Sequence, residues 1–131
     1  MEESRNWNFA RLFADVFEAK NIKCQALADA VGCTTKTLNR ISNKKQIPRK
    51  TLAIALGVAL GLNLDEMILF LYYAGYTLSY ALDVDKNYIQ AIKKTEGMSG
   101  EKRINACDTI LYDNNVEEKD WLLKHKKTKE T

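Results

Sequence analysis

The chain has 131 residues, 46% of them hydrophobic, and 20 Lys and Arg against 17 Asp and Glu for a formal net charge of +3. This composition excludes an intrinsically disordered chain and supplies material for a sizeable core, while +3 is by itself too small to diagnose a nucleic-acid binder. One proline, six glycines and almost no period-2 alternation leave little for β-turns or strands, so the expected class is all-α.

In chain order, Asn8 to Lys20 reads as an amphipathic helix with Phe9, Leu12, Phe13, Val16 and Phe17 on one side. The span Lys23 to Ser42 follows, KCQALADAVGCTTKTLNRIS, and is the most informative in the chain. Leu27, Ala28 and Val31 form a narrow apolar stripe. Gly32 stops that helix, because a glycine takes the left-handed conformation without Cβ strain, and Thr34 is a natural N-cap for a second helix. In the second helix Leu38 and Ile41 face inward, leaving Thr35, Lys36, Asn39 and Arg40 outward. By itself the span is equally a helical hairpin with a polar, cationic surface.

After the loop SNKKQI and Pro48, a helix with Leu52, Ala55, Leu56, Ala59 and Leu60 in register ends at Gly61. Asn63 with Glu66 makes a capping-box pattern for a further helix that runs to about Ala74 before Gly75. The apolar run from Leu52 to Leu82 raises a membrane reading, but Gly61, Asn63, Asp65 and Glu66 interrupt it short of the roughly 20 residues a span requires. The start MEESRNWNF lacks the features of a signal peptide. A cytoplasmic protein with no membrane partner is therefore expected.

In the last third, Val84, Tyr88, Ile89 and Ile92 suggest a helix ending at Gly97, and Ile104, Cys107, Ile110 and Leu111 a second. Asn115 with Glu118 forms another capping-box pattern, for a short helix carrying Trp121, Leu122 and Leu123. Cys24, Cys33 and Cys107 are odd in number and make no CxxC pair, and His125 stands alone, so neither a disulfide framework nor a metal site is indicated. Small buried hydrophobes are the expected role of the cysteines, with a redox switch at Cys24 or Cys33 as the alternative.

Taken jointly, Leu27, Ala28, Gly32, Thr34, Leu38 and Ile41, with Pro48 and the run ALGLNLDEM from Ala59 to Met67, resemble the phage-repressor-like helix-turn-helix family, often called the Cro or XRE class. The resemblance covers Phe9 to Leu71, about half of the chain. It implies a five-helix repressor-like helix-turn-helix domain, here over 8–75, with two or three further helices in an extension over 76–126 and a tail over 127–131. It further implies sequence-specific binding of double-stranded DNA by a transcriptional regulator of repressor type. Where many members carry a glutamine that touches a phosphate, this chain has Cys24, flanked by Lys23 and Gln25.

The distribution of charge agrees with that reading. Lys23, Lys36, Arg40, Lys44, Lys45, Arg49 and Lys50 face Asp29 alone between positions 23 and 50, a local +6 that leaves −3 for the rest. Such a segment suits a phosphate backbone, since neutralising phosphates releases condensed counterions. From the docking rules of the motif, Thr35, Lys36, Asn39 and Arg40 are candidates for base contacts. Thr34, Thr37, Gln25, Lys23, Lys44, Lys45 and Arg49 are candidates for phosphate contacts.

Tyr72, Tyr73, Tyr76, Tyr80 and Trp121 supply aromatic surface beyond what five small helices need, which points to a homodimer on paired half-sites, although the extension could equally complete the core. No nucleophile elbow, glycine-rich phosphate loop or metal-ligand cluster is present in the sequence, so no catalysis and no cofactor are expected. The competing reading is a protein-interaction module, such as an antitoxin or an adaptor, that keeps the repressor-like fold.

Overall fold

The computed structural model describes the backbone of residues 2–122 and the side chains of residues 8–122. Among these the protein is all-α, with seven helices: α1 (Glu2–Lys20), α2 (Cys24–Val31), α3 (Thr35–Ser42), α4 (Lys50–Ala59), α5 (Leu64–Ala74), α6 (Asp83–Lys94) and α7 (Gly100–Asp113). A single 3₁₀ turn, Glu118–Asp120, follows. Leu123, His125 and the 127–131 tail lie outside the described residues.

The local signals that set the first five helices are met by the backbone. Gly32 closes α2 in the left-handed region at φ 74° and sends its N–H back to the Ala28 carbonyl. Asn63 and Glu66 form the reciprocal capping box at the start of α5, and Gly75, at φ 94°, ends it.

α4 is the centre of the molecule. Every residue from Ala53 to Leu60 is buried, as a helix covered on all sides must be. It packs against α2, α5 and α7; α1 lies across α5 and touches α3, and α7 lies on α2 and α6. Gly57 leaves room on α4 for the end of the Met67 side chain of α5, since a Cβ there would fall 2.5 Å from Sδ and Cε of Met67. Phe9 and Phe70 join α1 to α5 with ring centroids 5.1 Å apart. The result is one continuous core that runs from Phe9 and Phe13 through Leu27, Leu38, Ile41 and Leu56 to Ile104, Cys107 and Leu111. The apolar run of 52–82 is divided between α4 and α5, and no helix among the described residues is long and apolar enough to cross a membrane.

Three elements differ from the sequence expectation. α1 begins at Glu2, earlier than Asn8. α6 stops at Lys94 with Thr95 at its C-cap, the Thr95 hydroxyl donating to the Ala91 carbonyl at 2.8 Å, and Gly97, at φ 94°, lies in the turn beyond. The capping box of Asn115 and Glu118 does not form. Asn115 is at φ 64°, closing the turn after α7, and an N-cap requires extended backbone there. The chain that follows makes only the 3₁₀ turn, with Glu117 at its N-cap position and no side-chain cap.

Candidate nucleic-acid interface

α3 is eight residues long and is held at its start by Thr34, whose Oγ1 accepts the Thr37 N–H at 3.1 Å. On a helix of 3.6 residues per turn, Thr35, Asn39, Lys36 and Arg40 fall in that angular order over an arc of about 140°, roughly opposite Leu38 and Ile41. The burial follows this division. Leu38 and Ile41 are buried, Thr35 is half-buried, and Lys36, Asn39 and Arg40 are exposed. Among the described residues neither Lys36 nor Arg40 forms an ion pair, so both cationic heads are available to a ligand.

The two threonine hydroxyls at the foot of α3 are coupled, with Thr34 Oγ1 and Thr37 Oγ1 3.2 Å apart. If Thr37 donates, both acceptor sites of Thr34 are filled and the Thr34 O–H is left to point outward as a donor. The α3 C-terminus ends in a tight turn: Lys44 adopts φ 67°, its N–H reaches the Ile41 carbonyl, and the Lys45 N–H reaches that of Arg40. Lys44, Lys45 and Arg49 are exposed around this turn.

At the start of α2, Lys23 is the N-cap and offers no side-chain cap to the first turn. Gln25 is exposed but its amide donates to Asp29 Oδ1 at 2.8 Å, which holds it along the helix. The structure thus brings together Thr35, Lys36, Asn39 and Arg40 on one face, with Thr34 and Thr37 at its base and the lysine turn at its far end. Gln25 is occupied within α2.

One cation counted in the basic segment is already neutralised. Lys50 Nζ lies 2.8 and 3.1 Å from the two carboxylate oxygens of Asp85, which is fully buried and also accepts the Ser79 N–H. The neighbouring Pro48 carbonyl accepts the Tyr76 hydroxyl at 2.8 Å. The loop behind α3 is therefore tied down by residues of the extension, a role that sequence spacing does not signal because partners 28 and 35 residues apart leave no periodic trace.

A groove of about 370 Å³ opens beside the foot of α3, lined by Cys33, Thr37, Ile47 and Arg49 together with Trp121 and Leu122. Burial, with Cys24 nearby, pushes the Cys33 thiol up to about 11, so at neutral pH it carries little of the thiolate that redox chemistry needs. Burial also raises the thiol of Cys107, which packs fully inside against Thr95. Of the five aromatics singled out as surplus to the core, Tyr76 and Trp121 are engaged internally, Trp121 through its N–H to the Val116 carbonyl, and Tyr73 is half-buried. Tyr72 and Tyr80 stand out at about two-thirds exposed, and on the outer side of α5 Tyr72 is joined by exposed Ile68 and Leu69.

No family model matches this chain, and neither a curated protein nor a solved structure is significantly similar to it.

Proposed function

We propose that the protein binds double-stranded DNA through α3, which acts as the recognition helix of a repressor-like helix-turn-helix formed by α2, the Gly32 turn and α3, and that it regulates transcription without enzymatic activity. The observation that carries this reading is the outward arc of half-buried Thr35 and exposed Lys36, Asn39 and Arg40, unpaired by carboxylates among the described residues and backed by buried Leu38 and Ile41. A helix of this size fits the major groove, where Lys36 and Arg40 can donate to guanine O6 and N7 and Asn39 can pair with adenine. Thr34, Thr37, Lys44, Lys45 and Arg49 surround that arc, as groups that position a protein on phosphates do.

A homodimer follows from the same reading, since paired half-sites call for two-fold symmetry. The exposed side chains of Ile68, Leu69 and Tyr72 supply an apolar, aromatic surface of the kind that enriches interface cores.

Duplex titrations at rising salt test the proposal. Affinity should fall linearly on a log–log plot. With a preferred duplex selected from random sequence, Arg40→Ala should cost about 1–3 kcal/mol and relax the preference at one base pair, whereas Lys45→Ala should weaken all sequences alike. Equal losses on preferred and scrambled duplexes for Arg40→Ala, or no salt-dependent binding at all, would overturn the assignment in favour of a protein-interaction module.

A further inference from the structure

The groove beside the foot of α3 is built from anchored parts. Trp121 is set by its indole N–H on the Val116 carbonyl at 2.9 Å, and its neighbours are held as well, Leu122 by its N–H on Oδ1 of buried Asp108 and Asp120 by its carbonyl accepting the Tyr88 hydroxyl, both at 2.7 Å. Arg49 is likewise flanked by two tethered residues: Pro48, whose carbonyl takes the Tyr76 hydroxyl, and Lys50, which pairs with Asp85. A space of about 370 Å³ with walls pinned in this way is preformed and falls in the size range of small-molecule sites. Its lining says which molecule suits it. Ile47, Leu52 and Trp121 supply apolar surface, the one donor of the Trp121 ring being spent on Val116. Arg49 is the only charged side chain among the described residues of the lining; it is exposed, and its guanidinium makes no ion pair among the described residues. Arg49 is also the N-cap of the ten-residue α4, whose first turn has neither a side-chain cap nor an acidic residue, so the positive end of that helix adds to the same site. Asp85, the buried carboxylate nearby, is already matched by Lys50 and the Ser79 N–H.

We propose that this groove is an effector site for a small organic carboxylate with an apolar body, and that its occupant competes with DNA for Arg49 and Thr37. The ligand class stands on the groove alone, whereas the competition rests on the DNA-binding reading above and deepens it. The carboxylate takes the planar fork of Arg49, which matches two carboxylate oxygens at once, and accepts from the Thr37 hydroxyl. The apolar body lies against Ile47, Leu52 and Trp121. A dicarboxylate or a polyphosphate is disfavoured, because a second anionic group would meet this apolar lining with no second cation to receive it. Thr37 and Arg49 are two of the side chains assigned to phosphates, so a carboxylate that holds them withdraws them from the DNA backbone. Occupancy therefore weakens DNA binding, and by linkage DNA weakens the ligand by the same factor.

The probes are 4-phenylbutyrate and its uncharged analogue 4-phenylbutyramide, titrated into the full chain carrying Trp7→Phe, so that Trp121 is the one tryptophan and its fluorescence reports the groove directly. The acid should give a saturable change, and the amide should bind about tenfold or more weakly, as the loss of one charge-assisted pair implies. Arg49→Gln should bring the acid down to the level of the amide and leave the amide unchanged, with circular dichroism checking the fold. No saturable binding of the acid at millimolar concentration, equal binding of acid and amide, or an acid affinity unaltered by Arg49→Gln would each overturn the site. Duplex titrations of the wild type are then run with saturating sodium 4-phenylbutyrate or the same concentration of sodium chloride. Duplex affinity should be about tenfold lower with the acid, within the usual range of coupling between two sites. Equal affinities in the two salts, with the acid bound, would overturn the competition and leave α3 as the reader. Absence of salt-dependent DNA binding in sodium chloride would remove the competition together with the function on which it rests, while the fluorescence titration still decides the groove.

Discussion

Arg103 is the largest fully buried side chain and has no carboxylate partner among the described residues. Its Nε donates to the Thr95 hydroxyl at 2.8 Å, Nη1 to the Val58 and Leu62 carbonyls at 3.2 and 2.7 Å, and Nη2 to the Ile92 carbonyl at 3.1 Å. The planar fork thus collects carbonyls around the ends of α4 and α6, where helix dipoles concentrate negative potential, and this offsets the burial that lowers its basicity. Replacing it with Met keeps most of the volume but leaves those carbonyls without donors. A loss of about 3–5 kcal/mol is expected in urea unfolding, and a loss under about 1 kcal/mol would mean that water takes over the bonds. In the sequence, Arg103 is one more cation next to Ile104, and nothing in spacing separates it from a solvated surface charge. Buried Asp85 is hidden for the same reason. Tyr88 makes a second residue-scale prediction. Burial, the largest influence, pushes its hydroxyl up to about 12 from an ordinary 10. The neutral form is favoured in the folded state, so the stabilisation is complete below about pH 10 and is lost as pH rises towards 12. Stability measured in urea across that window should fall by about 2–3 kcal/mol more in the wild type than in Tyr88→Phe. A difference that stays constant from pH 9 to 12 would show that the hydroxyl titrates normally. Cys33, with its thiol at about 11, adds a loss of the same sign between about pH 9 and 11.

At the scale of the element, the helices most legible in the sequence are those bounded by residues with one conformational job. Gly32, Thr34, Gly75 and the pair Asn63–Glu66 all do in the backbone what their types suggest. Asn115 misleads because asparagine serves two positions, N-cap in extended backbone and turn closer in the left-handed region, and only tertiary context selects between them. The outward face of α3 is legible for a simpler reason: in an eight-residue helix with two buried positions, the remaining side chains have nowhere else to go. Thr34 separates the helix from its proposed ligand. Thr34→Ala removes the cap and should cost about 0.5–2 kcal/mol of stability. Thr34→Asp should restore the cap, since a carboxylate accepts the Thr37 N–H and complements the helix N-terminus, yet it should weaken duplex binding by placing an anion against phosphate. Thermal melts and duplex titrations on the two variants check this, and an aspartate variant that binds DNA as well as wild type would remove Thr34 from the interface.

For the whole molecule, the sequence suggests a break near Gly75 between a motif-bearing half and an extension, but the packing runs across it. Ile104, Cys107 and Leu111 of α7 belong to the same core as Leu27 and Ala28 of α2 and Leu56 of α4. Asp85 holds Lys50, Tyr76 holds the Pro48 carbonyl, and Arg103 reaches Val58 and Leu62, so polar bonds cross the same line as apolar contacts. Composition cannot reveal this, because an amphipathic helix shows which face is apolar and not which partner covers it. If the core is one, unfolding should be one event. Trp121 permits a direct test, since its ring sits against Tyr112 with centroids 5.8 Å apart and the chain has only one other tryptophan, Trp7. In a Trp7→Phe background, Trp121 fluorescence reports the extension and far-ultraviolet dichroism reports all the helices. The two urea curves should coincide, with a single midpoint that Leu38→Ala in α3 and Leu111→Ala in α7 each shift for both probes together. A Trp121 transition that precedes the loss of helix would instead make the extension a separately melting unit. The loop behind α3 would then lose its tethers to Tyr76 and Asp85 before α3 itself unfolds.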